Sequence, residues 1–223
     1  ARRPGPVERV ALAVGLSTAA WPLLLAWVTW LGGRWTPGLL GAFLVACAAV
    51  VAAHAWWHCG GAKADVDVPT TLLLGVVLAV ALILRLDPLR SILFPAWTDS
   101  YQHVLITQQI MEGGRIPANY GPLIGIESFR YHFGFHTVAA FLGWLTGLAP
   151  HRAVLWYGQL LNAMQCLTVY AFLAYGLDSR RAGVVGAMIV GAVTVAPASF
   201  LNYGRYAQLA GQVILPVAMA LTL

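Results

Sequence analysis

Residues 70–86 read TTLLLGVVLAVALILRL and are followed, a few residues later, by FPAWTDSYQH at residues 94–103. The first stretch is long and apolar enough to predict a membrane-spanning helix. The second stretch is polar and aromatic, and it contains Asp99. A carboxylate set just beyond a span points to chemistry at the membrane surface. This junction therefore predicts both the fold class and the position of a functional site.

The composition extends this interpretation to the whole chain of 223 residues. Hydrophobic residues make up 60% of it and charged residues 9%, and the mean hydropathy is +0.75. Soluble domains have about a quarter of their residues charged, so we expect an all-α, polytopic integral membrane protein. The net charge of +5 comes from basic residues spread thinly through the connections, which argues against a nucleic-acid partner.

Five apolar runs predict spanning helices, and a sixth begins near the end of the chain. They are residues 10–31, 37–57, 69–86, 152–177 and 181–200, with the sixth from residue 207 onward. Residues 1–68 would then hold two N-terminal spans, and residues 69–223 a second module with an external loop at 87–151. The chain stops inside the sixth run, so we expect the sequence to be part of a longer protein.

The orientation of the spans follows from the basic residues, which favour the cytoplasmic side. The residues used are Arg2, Arg3 and Arg9 near the start, Lys63 between the second and third spans, and Arg180 and Arg181 before the fifth. They predict a cytoplasmic N-terminus. Counting crossings then puts residues 87–151 and 202–208 outside, so that Asp99 and Arg205 share one face.

The apolar run at residues 132–148 is too short for this count to include it as a span. A helix of this length reaches about 24 Å, against a hydrocarbon core of about 30 Å. The run also carries polar residues at its start and ends in GLAP, residues 147–150. We interpret it as a helix that lies at the outer interface or dips into it.

The segment that begins at Asp99 predicts a short amphipathic helix. Thr98 or Asp99 could cap it, and Gly113-Gly114 would end it. Asp99 and His103 are four residues apart and lie on one helical face. Such a pair can orient the carboxylate, bind a metal ion or form a simple ion pair, and the alternative function for Asp99 is that of an N-cap.

The order of several short motifs resembles the GT-C superfamily of membrane glycosyltransferases, which use polyprenyl-phosphate-linked sugars. The motifs are WTDSYQH at residues 97–103, GGRIP at 113–117, YHFGFH at 131–136 and NYGRY at 202–206. In that superfamily a spanning helix leads into an external loop whose start carries a catalytic aspartate, and juxtamembrane helices follow. The resemblance covers residues 69–223.

The resemblance implies a glycosyltransferase in which Asp99 acts as general base. It assigns the donor phosphate to Arg205, with Arg130 and His132 as further candidates. The residues expected to line the substrate are Trp97, Tyr101, His103, Tyr131 and Tyr203. Aromatic residues at a membrane surface are alternatively interfacial anchors.

The same resemblance implies the partners and the location. They are a polyprenyl-phosphate sugar donor, the lipid bilayer, and an acceptor glycan, lipid or protein. The location is the inner (plasma) membrane of a bacterium with the active site outside. Metal-dependent members carry acidic residues in the second loop, where this chain has Asn202 and Gln208. We therefore expect no cofactor, and the alternative is a divalent metal ion held by Asp99, His132 and His136.

Three competing interpretations remain open at the level of sequence. His54 and His58 have a spacing that can ligate haem or zinc, although two interfacial histidines would look the same. A transporter or flippase of lipid-linked solutes would also need polar residues near the membrane, but it usually has broken helices at mid-membrane and internal repeats. A non-catalytic scaffold subunit would leave Asp99 and Arg205 dispensable.

Overall fold

The structure is a computed structural model that describes residues 4–57, 66–122, 124–196 and 198–223, with only the backbone at residue 198. Its α-helices are α1 (Pro6–Trp30), α2 (Pro37–Trp57), α3 (Val68–Leu86), α4 (Asp99–Gly113), α5 (Gly134–Thr146), α6 (Pro150–Gly176), α7 (Arg180–Met188) and α8 (Tyr206–Thr222). These ranges contain no strand, which confirms the all-α prediction. Arg2, Arg3, Lys63, His58 and Cys59 lie outside the described residues.

Among the described residues, three helices are long and apolar enough to cross a membrane. They are Pro6–Trp30, Pro37–Trp57 and Val68–Arg90, the last being α3 with the short 3₁₀ turn that follows it. A fourth span is counted if α5 and α6, which meet at 113°, form one broken span. These helices identify a membrane protein, as the composition predicts.

Local sequence explains where the helices begin and end. Pro6 occupies the first turn of α1, where its missing N–H costs no hydrogen bond. Asp67 caps α3 by accepting hydrogen bonds from the backbone N–H and the hydroxyl of Thr70, at 3.3 and 2.6 Å. Gly114 and Gly147 end α4 and α5 in the left-handed conformation. The predicted end of α4 is therefore confirmed.

The bundle has two ends that bring distant parts of the chain together. At one end, which we call the Glu8 end, the Arg180 guanidinium donates to the Glu8 carboxylate at 2.9 Å. At the other, which we call the Asp99 end, the backbone N–H of Ile116 donates to the Thr29 hydroxyl at 3.0 Å. The turn after α1, the segment 87–133 and the loop before α8 all lie at the Asp99 end.

The predicted span at residues 181–200 is wrong as a single helix. Helix α7 ends at Met188, one π turn covers Ile189–Val193, and the backbone is extended at Thr194. The N–H of Thr194 donates to the carbonyl of Ile189 at 2.9 Å, which is the π-type spacing. The length and composition of the apolar run at residues 181–200 therefore do not reveal that the helix is broken. The break depends on contacts with other helices.

Helix α6 is the central helix of the bundle and packs against α1, α3, α5, α7 and α8. The predicted span at 152–177 corresponds to α6. This helix qualifies as a membrane span by length and hydropathy only when it is combined with α5. The reason is that its buried face includes the polar residues Asn162, Gln165 and Thr168. A helix that other helices surround can carry polar side chains, because they do not face lipid.

Helix α5 has the form that its short run predicts. It covers 13 residues, which is about 20 Å of helix, and it turns sharply into α6. Gly147 has φ +71° and Pro150 lies in the first turn of α6, so neither helix continues into the other. Helix α1 packs against α5, α6 and α8 and thus shares a core with residues 69–223, whereas α2 is largely exposed.

The end of α4 is fixed to the turn that follows α1 by a close backbone contact. The N–H of Trp35 donates to the carbonyl of Gly114 at 2.7 Å. Gly114 has φ +66°, and a Cβ atom there would stand 2.0 Å from the carbonyl oxygen of Trp35. Only glycine satisfies both constraints, so this contact fixes the end of α4 against the turn between α1 and α2.

We expect Gly114→Ala to destabilise the protein more than Gly147→Ala. Both residues have left-handed backbones, for which alanine costs about 1 to 2 kcal/mol, but a Cβ at Gly147 would have no atom within 4 Å. The Gly114 variant must additionally displace Trp35. Thermal unfolding of the two variants in the same detergent measures the difference, and equal losses in Tm would contradict the contact.

Candidate functional site

Asp99 is the first residue of α4, and its carboxylate is open to solvent. The helix is preceded by Thr98 as N-cap, with no side-chain capping hydrogen bond, so the interpretation of Asp99 as an N-cap is wrong. Asp99 is exposed and makes no hydrogen bond or ion pair with any described residue. Its place in the first turn is electrostatically favourable, because the helix N-terminus attracts negative charge. The Asp99 carboxylate is thus accessible to a ligand.

The loop before α8 approaches Asp99 directly. Gly204 has φ +65°, and a Cβ there would lie 3.4 Å from the Cβ of Asp99 and 3.2 Å from the hydroxyl oxygen of Ser100. Arg205 follows as the residue before α8, and its side chain is exposed. The prediction that Asp99 and Arg205 lie at one face of the membrane bundle is therefore confirmed as a statement about their relative position.

A chain of hydrogen bonds lies beneath this contact. The Nε2 of His103 lies 2.7 Å from the carbonyl oxygen of Gly204, and its Nδ1 lies 2.8 Å from the Nε2 of His136. Both rings are buried, with 2% and 0% of their surfaces exposed. His103 therefore lies under the surface of the site and not on it, which differs from the substrate-lining position that the sequence predicts.

The carbonyl of Gly204 decides which nitrogens carry protons. A carbonyl only accepts, so the Nε2 of His103 must donate to it. In a neutral ring the Nδ1 of His103 then accepts from the Nε2–H of His136. The Nδ1 of His136 is buried beside the backbone of His132 and Phe133, without a well-aligned hydrogen bond to a described residue. The two rings thus form a directed chain that points toward the loop.

The electrostatics of the pair agree with neutral rings. Burial lowers the pKa of His103 to about 4, and this outweighs the hydrogen bond to Gly204, which acts in the opposite direction. The nearby Asp99 charge also raises the pKa of His103, but by less. Burial and then the Asp99 charge raise the pKa of Tyr131. Asp99, His103 and Tyr131 are therefore electrostatic neighbours.

Exposed aromatic side chains lie on both sides of Asp99 along the chain. Trp97, 56% exposed, meets Tyr203 edge-on with ring centroids 5.4 Å apart. Tyr101, 67% exposed, packs beside Phe94 at 5.0 Å. Trp97 has φ +76°, a backbone conformation that a tryptophan rarely adopts and that is typical of functional sites. These rings give the carboxylate an apolar border.

The remaining predicted site residues divide into two groups. Tyr131 and His132 stack with centroids 3.9 Å apart, and both belong to the cluster around His103. Burial lowers the pKa of His132, which favours its neutral form. Arg130 is exposed and makes no hydrogen bond to the cluster in the described structure. Ring contacts therefore join Tyr131, His132, His103 and His136 in one cluster, and Gly204 brings the loop of Arg205 next to Asp99.

His132 also borders a cavity of about 560 Å³ between α1 and α8. Its walls are mainly apolar and include Pro22, Leu23 and Ile214, and Gln208 adds a polar group. Proline at residue 22 leaves the Thr18 carbonyl without its helical donor. The cavity thus connects the polar cluster with the apolar surfaces of two helices that face the membrane.

Two features of the site carry little signal in the sequence. The sequence indicates His136 only as an alternative metal ligand. Its hydrogen-bond partner, His103, is 33 residues away in the chain, so the sequence does not show their pairing. The carbonyl of Gly204 has no side chain to draw attention to it.

The metal site considered for Asp99, His132 and His136 has no counterpart as a cluster. Across residues 4–57, 66–122, 124–196 and 198–223, no group of three or more histidine, cysteine, aspartate or glutamate side chains could hold a metal ion. The Nε2 of His136 is already engaged by His103. The second predicted metal pair consists of His54 and His58, and His58 lies outside the described residues.

The fold and this site define a helical membrane protein with a polar, aromatic-bordered cluster at one end of its bundle. No family model matches the chain, and it has no match among curated proteins or solved structures. The function must therefore be argued from the site.

We expect the stability of the protein to fall between pH 7 and pH 4.5 because of His103. Its pKa in the folded protein, about 4, lies below its ordinary value, so in this interval the unfolded chain binds a proton that the folded chain does not. Each pKa unit corresponds to about 1.4 kcal/mol, so protonation costs up to about 3 kcal/mol by pH 4.

Thermal unfolding at the two pH values measures this loss. His103→Gln removes the titrating ring and keeps a donor for Gly204, so its Tm should fall less than that of the wild type. His151→Gln serves as control, since His151 makes no ring hydrogen bond to a described residue, and its Tm should follow the wild type. An identical pH dependence in all three proteins would contradict the assignment.

Proposed function

We propose that this chain is an integral-membrane glycosyltransferase that moves a sugar from a polyprenyl-phosphate donor to an acceptor hydroxyl. The observation that carries the proposal is the exposed carboxylate of Asp99, which has no hydrogen bond or ion pair to a described residue and lies next to the loop that bears Arg205. A carboxylate and a guanidinium on adjoining segments at one end of a membrane bundle suit a substrate that has a hydroxyl, a phosphate and a lipid tail.

The proposed reaction needs one base and one group that stabilises a leaving phosphate. The acceptor oxygen forms a bond to the anomeric carbon, and its proton passes to Asp99. The bond between the anomeric carbon and the phosphate oxygen breaks, and its electron pair leaves with the phosphate. Positive charge develops on the sugar ring as this bond lengthens, so a nearby carboxylate also lowers the barrier electrostatically.

Arg205 is the proposed partner of the phosphate. A guanidinium matches phosphate oxygens with two parallel hydrogen bonds, and Arg205 has an exposed side chain directly after Gly204, the residue that approaches Asp99. Arg130 and His132 are secondary candidates, His132 because it borders the apolar cavity. The backbone position of Arg205 directly after Gly204 ties this charge to the carboxylate on α4.

The lipid part of the proposed donor has a suitable surface in the cavity between α1 and α8. This cavity has apolar walls and a polar rim at His132 and Gln208, the same polarity as a phosphate joined to an isoprenoid chain. Trp97, Tyr101 and Tyr203 are the proposed ring-stacking surfaces for the sugar. Exposed aromatic faces with a neighbouring carboxylate are a common way to hold a sugar ring.

The proposed orientation puts the Asp99 end outside the plasma membrane of a bacterium and the N-terminus in the cytoplasm. It is supported by the basic residues Arg9, Arg180 and Arg181, which gather at the Glu8 end. Positive charge in short connections favours the cytoplasmic side. The acceptor, whether glycan, lipid or protein, would then be a component of the cell envelope.

We expect Asp99→Asn to abolish sugar transfer while the protein stays folded. The amide keeps the size of the side chain but cannot take the proton from the acceptor, and loss of a general base lowers the rate by roughly a hundredfold to ten-thousandfold. Membranes that contain the protein are supplied with labelled polyprenyl-phosphate sugars, and labelled product is counted.

Glu112→Gln is the matched control for this experiment. Glu112 is an exposed carboxylate at the far end of the same helix, where it accepts a hydrogen bond from Gln108 at 2.8 Å. Its amide variant should transfer sugar at the wild-type rate. Equal transfer by wild type and Asp99→Asn would remove Asp99 from the mechanism, and transfer by neither protein with any donor would sink the proposal. Parallel reactions with EDTA show whether a divalent metal is needed, and we expect transfer to continue.

One observation favours a second candidate, a transporter or flippase of lipid-linked solutes. Arg85 is 6% exposed within the span α3, and its Nε donates to the Oδ1 of Asn162 at 3.0 Å. Its Nη2 lies 3.5 Å from the carbonyl oxygen of Val190, which belongs to the π turn directly after α7. Buried charges next to broken helices are typical of transport pathways.

The two candidates differ in what each variant changes. A transporter would move a fluorescent lipid-linked sugar across vesicle membranes, and Arg85→Leu would stop this movement while Asp99→Asn left it unchanged. In the proposed transferase, by contrast, Asp99→Asn stops the reaction, and the reaction releases a sugar from its carrier.

A further inference from the structure

Three segments that are far apart in the sequence meet at the buried histidine pair. His103 belongs to α4, His136 to α5, and the carbonyl of Gly204 to the loop before α8. The bonds span 33 and 101 residues of chain. The pair is therefore the direct link between the helix that starts with Asp99 and the loop that ends with Arg205.

The geometry of this link is specific because each bond has a direction. The loop carbonyl needs a donor, His103 supplies it through Nε2, and His136 donates in turn to the Nδ1 of His103. The rings are nearly parallel, with centroids 5.0 Å apart and an angle of 21° between their planes. Phe135 and Tyr206 meet the face of His103 edge-on at 6.1 and 5.3 Å, so the ring cannot rotate without disturbing the core.

A polar pair is an expensive way to fill this space. Apolar side chains of similar size would avoid the desolvation of two buried imidazole rings. What apolar residues cannot do is bind a backbone carbonyl at a fixed distance. Directed buried hydrogen bonds specify one arrangement of the segments that they join.

We propose that His103 and His136 are positioning residues that fix the spacing between the Asp99 carboxylate and the loop that carries Arg205. Asp99 lies one helical turn before His103, and Arg205 directly follows the residue whose carbonyl His103 binds. Movement of the loop would therefore change the distance between base and phosphate site. This inference rests on the proposed glycosyl transfer.

Matched variants of His103 separate ring volume from hydrogen bonding. His103→Phe keeps a ring in the core but cannot donate to Gly204. His103→Gln places an amide N–H near the position of Nε2 and can restore that bond. His136→Phe removes the donor to the Nδ1 of His103, and the loop bond is then supported by His103 alone.

The first readout does not depend on activity. Hydrogen exchange of the backbone at residues 198–206, measured by mass spectrometry on the protein in lipid nanodiscs, should be faster in His103→Phe than in wild type and close to wild type in His103→Gln. Exchange in α6 should be the same in all three proteins. Wild-type exchange in His103→Phe would overturn the proposal, as would equal acceleration in the Phe and Gln variants.

The second readout is the transfer rate. We expect kcat to fall roughly tenfold to a hundredfold in His103→Phe, because a misplacement of about 1 Å at a reacting group has this effect. KM should change little, and His103→Gln should recover most of the rate. Full activity in His103→Phe, or no recovery in His103→Gln, would contradict a positioning function. Absence of transfer in the wild type itself would count against the proposed function and leave the exchange result to decide the loop contact.

If His103→Phe does not fold, the wild-type protein provides the test. In a ¹⁵N spectrum of protein labelled at histidine, resonances assigned through His103→Gln and His136→Gln should show Nε2–H tautomers for both residues at pH 7. An Nδ1–H tautomer at His103 would mean that it does not donate to Gly204, and the proposal would fail.

Discussion

The constraint on which this structure depends is that a backbone inside lipid must satisfy its own hydrogen bonds. This constraint confines non-helical segments to the two ends of the bundle. Three of them lie together at the Asp99 end: the turn after α1, the segment 87–133 and the loop before α8. One break inside the described part of the bundle is the π turn at Ile189–Val193. There a buried arginine, Arg85, offers a donor to the carbonyl of Val190, which is the kind of compensation that an interior break requires.

The position of the site follows from this confinement of non-helical segments to the ends of the bundle. The carboxylate of Asp99 and the ring of Trp97 come from the segment that leads into α4, and Gly204 comes from the loop before α8. Both connections lie at the same end of the bundle. Helix ends leave backbone groups unpaired, and the polar side chains that satisfy them are then within reach of one another. The pair formed by His103 and His136 uses this crowding to join α4, α5 and the loop before α8.

Local features of the fold were predictable from the sequence, and long-range ones were not. The ends of α4 at Gly114 and of α5 at Gly147 follow from glycine and proline positions, because those residues act on their own backbone. The break in α7 did not follow, since residues 181–200 are apolar throughout the region where the π turn occurs. Nor did the link from His103 to Gly204, because periodicity reports which face a residue lies on and not which distant segment meets that face.

The central claim is that Asp99 and the loop at Gly204 form one site, and a cross-link tests it most directly. The Cβ of Asp99 lies 3.4 Å from the position of a Cβ on residue 204, close to the separation of about 3.8 Å in disulfides. In a chain whose native cysteines are replaced by serine, Asp99→Cys with Gly204→Cys should form a disulfide under mild oxidation, detected as protection of both thiols from alkylation. Asp99→Cys with Gly147→Cys should stay reduced, because a Cβ at residue 147 has no neighbour within 4 Å. Free thiols in the first pair would contradict the account.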